Sequence, residues 1–194
     1  MVDGQRLAAA VLVVTFLVAG TCWTAAGSAD DVEVELVGFL GKLPEGGLRL
    51  PLSSRMTARF EVPNEQGGAR VAFTVEFTPR TEFSRGADRV RGDQLVVLEG
   101  VLQPDRLQVL RVREVDVAEY SGRLSLRDGP LALPLATDQL VEVFLDGAPN
   151  LPVTFLLTPR TTSRRTSLRD GQLVTLAVVN GRRLVVGIET SAAR

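Results

Sequence analysis

The chain contains no histidine. That single absence removes the commonest general acid/base and the commonest metal ligand. It also excludes Ser-His-Asp and Cys-His catalysis and haem attachment through histidine. The one cysteine, Cys22, lies in an N-terminal apolar stretch, so the remainder of the chain holds no disulfide and no thiolate metal site. Aromatic residues are few and the formal net charge is -1, which gives no global attraction to nucleic acid or to an anionic membrane. Valine and leucine are abundant instead, a mix suited to small β-rich cores.

What the chain does have, it has twice. Thr78-Pro79-Arg80-Thr81 returns as Thr158-Pro159-Arg160-Thr161, and Gln94-Leu95-Val96 returns as Gln172-Leu173-Val174. Leu48-Arg49-Leu50-Pro51-Leu52 returns as Leu131-Ala132-Leu133-Pro134-Leu135. The matches keep their order at an offset of about 80 residues, the size of a small domain. Three segments are expected: an export signal over 1–29, a first β-barrel over 31–117 and a second over 118–190.

Arg6 precedes an apolar run from Leu7 to Ala19, followed by the small residues Ala25 to Ala29 and the acidic start Asp30-Asp31. This is the plan of a secretory signal, with cleavage after Ala26 or Ala29. An uncleaved anchor is the rival, because Leu7 to Ala26 is 20 residues without a charge. Lipidation at Cys22 fits less well, since Thr21 before it is bulky. In each case the rest of the chain lies outside the cytoplasm, periplasmic or extracellular.

Alternation dominates that rest. Val32, Val34 and Leu36 open a strand; Leu48, Leu50 and Leu52 alternate after Glu45-Gly46-Gly47; Val71, Phe73, Val75 and Phe77 form a longer one. An irregular polar stretch is expected from Thr78-Pro79 to Gly92. Gln94 to Val101 and Leu107 to Val117 then pair through Gln103-Pro104-Asp105-Arg106. In the second copy, Ser121 to Leu126 is expected to pair with Leu131 to Leu135 through Asp128-Gly129, and Leu173 to Val179 with Leu184 to Ile188 through Asn180-Gly181. Val96 and Leu98 match Val174 and Leu176 and should face inward, whereas Val97 and Glu99 match Thr175 and Ala177 and should meet solvent or the other copy. About five strands per copy imply two tandem OB-like barrels in an all-β fold. The join near Val117 to Tyr120 has no Gly/Pro/Ser tract, so the copies should abut.

Gly41, Leu43, Thr78, Thr81, Gly92, Val96, Gly100, Leu107 and Val109 in the first copy form a pattern. Gly122, Leu124, Thr158, Thr161, Gly171, Val174, Leu184 and Val186 repeat it in the second. The pattern resembles the exported bacterial family "domain of unknown function 5666". The resemblance implies small OB-type barrels, often in tandem, behind a signal peptide, and brings no catalytic residues with it.

The stretch after each Thr-Pro-Arg-Thr is rich in arginine. Arg80, Arg85, Arg89 and Arg91 in the first copy, and Arg160, Arg164, Arg165 and Arg169 in the second, are the candidate anion-binding residues, because guanidinium forks suit phosphate, sulfate or carboxylate. The same charges would also sit comfortably on a solvated loop. Thr-Pro-Arg-Thr itself reads as structural: Pro fixes φ at a strand exit and each Thr can bond nearby backbone. Arg91-Gly92-Asp93 reads as a turn, since the second copy has Arg169-Asp170-Gly171. Asp30, Asp31, Glu33 and Glu35 alternate along a strand rather than converge on a metal. Phe73, Phe77 and Phe155 fit core positions better than base-stacking platforms.

The composite expectation is an exported, non-enzymatic binding or assembly module of the bacterial envelope, with no cofactor and no metal. Its expected partner is an envelope protein, or else an anionic glycan or lipid headgroup bound through the arginine loops. Nucleic acid is disfavoured by export, and membrane contact is confined to the N-terminal segment if that stays uncleaved. A carboxylate-based hydrolase is the remaining alternative; it would need two carboxyls converging in a cleft.

Overall fold

The computed structural model describes residues 32–44, 47–49, 51–84 and 89–190. The expected signal segment over 1–29, Glu45-Gly46, Leu50 and Arg85 lie outside them. Everything described is strand, turn or loop, with no helix among the described residues.

The first half contributes β1 (Val32–Leu40), β2 (Leu48–Arg49), β3 (Met56–Val62), β4 (Val71–Ser84), β5 (Arg89–Val90), β6 (Leu95–Leu102) and β7 (Leu107–Glu114). Five of these close a barrel in the order β1-β3-β4-β7-β6, with β6 returning to β1. All neighbours are antiparallel except β4 and β7. Closure leaves no unpaired edge in this sheet. β2 and β5 form a separate two-stranded flap.

The second half contributes β8 (Val117–Ser125), β9 (Leu131–Ala132), β10 (Gln139–Leu145), β11 (Pro152–Leu157), β12 (Thr162–Ser163), β13 (Ser167–Leu168), β14 (Leu173–Val179) and β15 (Val185–Thr190). Its main sheet runs β11-β10-β8-β14-β15-β12, and a parallel bridge links Leu156 of β11 to Leu184, just before β15. β9 and β13 pair in a flap like that of β2 and β5.

The Asn180-Gly181 hairpin forms, since β14 and β15 pair through it, but of the two turn residues only Gly181 takes positive φ, at +71, so the turn is not the type I′ that needs it at both. The Asp128-Gly129 hairpin does not form. Gly129 does turn the chain, at φ +92, but both edges of β8 are occupied, one by β10 and the other by β14. Leu131-Ala132 pairs with Ser167-Leu168 instead.

The stretch after Thr78-Pro79 is also more ordered than expected. β4 continues through it to Ser84. Its ladder with β7 is interrupted between Phe77 and Glu82, and this gap accommodates Pro79, which has no N–H to give. Inside the gap, Thr81 Oγ1 accepts the Thr78 N–H at 2.9 Å and donates to the Val109 carbonyl at 2.8 Å, while the Arg80 N–H donates to Thr78 Oγ1 at 3.2 Å. The second half repeats all three: Thr158 N–H to Thr161 Oγ1 at 2.9 Å, Thr161 Oγ1 to the Val185 carbonyl at 2.9 Å, and Arg160 N–H to Thr158 Oγ1 at 3.1 Å. The tetrapeptide is thus a plug that satisfies buried backbone where a parallel ladder breaks.

Two glycines show the same economy. Gly38 in β1 and Gly122 in β8 sit opposite Val96 and Val174. A Cβ at either would overlap the backbone oxygen of Glu61 or Phe144, so only glycine lets the neighbouring strand approach.

Three apolar clusters result. Val96 and Leu98 point into the first core with Leu40, Phe60 and Phe77; Val174 and Leu176 point into the second with Leu124, Val143 and Phe155. The third cluster joins the halves: Val37 and Val97 from the first meet Leu156, Val179 and Leu184 from the second. Val97 therefore faces the other copy, as the alternation of β6 requires. No flexible linker separates the halves, because only Val115 and Asp116 lie between β7 and β8.

Polar contacts fix the seam's register. Arg70 grips Asp138 through both guanidinium arms, at 2.9 and 2.5 Å, which raises the Arg70 pKa further above its ordinary value although burial opposes it. Glu65 accepts the Arg183 N–H at 3.1 Å and lies 3.7 Å from the Arg182 guanidinium. Charge pairs at such sites specify geometry more than they add stability.

Candidate anion-binding site

The eight candidate arginines do not form two matching sets. Arg80 is exposed beside a groove of about 620 Å³ that is also lined by Glu33, Glu35, Glu82, Glu99 and Arg111. Carboxylates outnumber guanidiniums there, so the field around Arg80 disfavours an anion. Glu99 is held by Arg111 at 3.0 Å and by Arg113 at 2.7 Å, and Arg113 also reaches Glu35 at 2.7 Å. The two carboxylates are tied into an ion-pair network on the strand surface. Among the described residues, no group of three or more Asp, Glu or Cys is placed to hold a metal.

Arg160, which matches Arg80, has a different occupation. Its guanidinium pairs with Asp93 at 2.6 Å and lies 4.5 Å above the Phe39 ring. Both partners belong to the first half, so Arg160 is a clamp across the seam, although its buried Nη1 has no partner among the described residues. Arg164 is exposed beside Glu119 and Glu189. Arg165 donates to Thr190 Oγ1 at 3.2 Å. The exposed Arg169 uses its backbone N–H to bond the Gln172 side chain at 3.0 Å.

Arg89 and Arg91 are brought together, and a third arginine, absent from the sequence-based candidates, joins them. Arg49 in β2 stands directly opposite Arg89 in β5. With Arg91 they line an open cleft of about 730 Å³, completed by Gly92, Asp93, Gln94 and Glu114. None of the three guanidiniums has an ionic or hydrogen-bonded partner among the described residues, and Arg89 Nε is buried without an acceptor. Like charges directly opposite on paired strands are destabilising. The flap holds two such charges, and no described residue supplies a counter-charge between them.

The local backbone explains how they are presented. Gly47 takes φ +75 just before β2, and a Cβ there would run into the Val90 carbonyl and lie 3.3 Å from Arg89 Nε. Bare backbone at Gly47 thus lets β5 close on β2 and covers the Arg89 stem. On the other side, Asp93 sits at φ 63, a conformation that its counterpart Gly171 adopts at φ 71. Gln94 caps this turn by accepting the Arg91 N–H at 3.0 Å. The Arg91-Gly92-Asp93 tripeptide is a turn whose aspartate is turned to Arg160.

The second half provides an internal comparison. In its flap, Ala132 faces Ser167 where Arg49 faces Arg89, with the flanking leucines pairing in the same register as Leu48 and Val90. The fold therefore forms the same flap without the arginine pair. The signal for Arg49 was present in the repeat itself, where Leu48-Arg49-Leu50 aligns with Leu131-Ala132-Leu133.

No protein-family model matches the chain. A search of curated proteins finds no matching relative.

Proposed function

We propose that the protein is an exported, non-enzymatic binding or assembly module of the bacterial envelope, built from two tandem OB-like barrels behind a signal segment. In the second half β8, β10, β11, β15 and β14 follow the neighbour order of β1, β3, β4, β7 and β6, with β11 bridged at Leu156 to Leu184 beside β15, which supports the tandem reading. The apolar seam supports a single rigid body in which each half presents its own outer surface. The resemblance to "domain of unknown function 5666" belongs to the same reading.

The observation that carries a binding role is the Arg49–Arg89 pair, opposed and without a counterion among the described residues, and dispensable to the flap of the second half. It favours an anionic group as the recognised feature, whether borne by an envelope protein, a glycan or a lipid. Glu35 and Glu99, register partners on β1 and β6, share Arg113, which argues against their use as a hydrolytic acid and base.

Retention on an anionic matrix tests this reading. With a net charge of -1, the protein has no global reason to bind one. At low ionic strength the wild type should be retained and should elute as salt screens the contact. The double variant Arg49→Ala/Arg89→Ser, which installs the second half's residues, should pass through. Equal retention of both proteins, or no retention of either, contradicts the reading.

A further inference from the structure

We infer that the Arg49–Arg89–Arg91 cleft is a site for a dianionic phosphate monoester; the inference rests on the anion-binding role proposed above and names its ligand class. Three guanidiniums line the cleft. Asp93 is already matched by Arg160, and Glu114 is the one other carboxylate in the lining among the described residues. The cleft therefore carries two positive charges in excess. A carboxylate or a phosphodiester would neutralise one of them. A phosphate monoester, with a charge of about -1.5 to -2 at pH 7 and three terminal oxygens, neutralises both.

Donor geometry points the same way. Arg49 and Arg89 project from opposed positions of a two-residue ladder, and Arg91 follows two residues after Arg89, so three forks converge on one mouth. A tetrahedral group can take a hydrogen bond from each on separate oxygens, whereas a planar carboxylate offers two oxygens in one plane. No acceptor among the described residues holds the Arg89 guanidinium, its buried Nε included, so the chain leaves this group uncommitted. The cleft is open, which suits a terminal phosphate on a larger molecule: a lipid headgroup, a phosphorylated glycan or a soluble ester.

The ligand's own titration provides a signature. Histidine, the side chain whose ordinary charge change falls between pH 5 and 8, is absent from the chain. Among the described residues, the charged groups facing the cleft are Arg49, Arg89, Arg91, Asp93 and Glu114, with Arg160 behind Asp93. Loss of affinity on acidification through about pH 6 would follow the second ionisation of the phosphate.

Isothermal titration of the purified protein at low salt tests this, with inorganic phosphate, glycerol phosphate, dimethyl phosphate and acetate as probes. The first two should bind, several-fold more weakly at pH 5.5 than at pH 7.5, and dimethyl phosphate and acetate should bind at least about tenfold more weakly than glycerol phosphate. Arg49→Ala/Arg89→Ser should lower phosphate affinity at least about tenfold with unchanged melting, as should Arg91→Ala alone, and Arg164→Ala/Arg165→Ala should leave it unaltered. Phosphatidylcholine vesicles doped with phosphatidate separate the sources: co-sedimentation that needs Arg49 and Arg89 assigns the ester to a lipid, and soluble binding without it assigns the ester to a glycan or small molecule. Phosphate binding that survives both cleft variants overturns the inference. So does equal binding of dimethyl phosphate, or no heat with any phosphate. If phosphate fails while salt-sensitive retention on the anionic matrix still depends on Arg49 and Arg89, the ligand class falls and the binding role stands; if retention fails as well, both fall.

Discussion

Val96→Asp is expected to unfold the first half of the protein, while Val97→Asp, one residue along the same strand, is expected to leave both halves folded and to part them. Val96 is 1 % exposed and packs among Leu36, Leu40, Phe60 and Leu98, inside a closed barrel. A carboxylate there has no cation to meet and no route to water. An uncompensated buried charge costs about 3–5 kcal/mol, comparable with the whole stability of a small domain, about 5–15 kcal/mol. Val97 is nearly as buried, at 4 %, but its neighbours are Val37 and the second half's Leu156, Val179 and Leu184. A charge there can be hydrated by opening the seam without breaking either core. Thermal unfolding followed by circular dichroism and calorimetry should leave Val96→Asp with only the smaller transition of the second half. Val97→Asp should convert a single cooperative transition into two. Identical behaviour of the two variants would contradict the division of β6 into a core face and a seam face.

The second large effect concerns the repeated tetrapeptide. Thr81→Val and Thr161→Val keep shape and remove one hydroxyl. That hydroxyl serves two buried backbone groups at once: the N–H of Thr78 and the carbonyl of Val109 in one half, and the N–H of Thr158 and the carbonyl of Val185 in the other. Each buried group left without a partner costs about 1–3 kcal/mol. A loss of about 3 kcal/mol per substitution is expected from urea titration, with Thr→Ser at the same positions restoring most of it. Equal losses for Val and Ser would mean that the γ-methyl, and not the hydrogen bonds, sets the requirement for threonine.

Legibility of the fold followed the length of the alternating runs. β6 and β14 carry enough apolar positions on one face to declare their inward side, and Asn180-Gly181 dictates the hairpin between β14 and β15. Short elements were read less well. The Asp128-Gly129 turn has the chemistry of a hairpin, yet strand partners are chosen by available edges, and those of β8 belong to strands distant in sequence. β4 was cut short at Pro79 because local propensity cannot see that Thr81 mends the ladder from within.

The site was legible in part for a similar reason. Arg89 and Arg91 stood out as members of an arginine-rich stretch. Arg49 was masked by the leucines around it, and only the pairing of β2 with β5 sets it opposite Arg89. Arg160 was a candidate by composition and became a clamp by tertiary contact with Asp93 and Phe39. Charge in a sequence records capacity; whether a given arginine is spent inside the molecule is decided by its neighbours in the fold.

Site-directed photocrosslinking in living cells, from a probe placed beside the cleft at Glu114 of the tagged full chain, tests the central claim that this face engages an envelope component. The account predicts a reproducible adduct in the envelope fraction that disappears when Arg49→Ala and Arg89→Ser are introduced together, although the protein remains folded and exported. An adduct of unchanged yield in the double variant, or a protein that fractionates with the cytoplasm and captures nothing from the envelope, would contradict it.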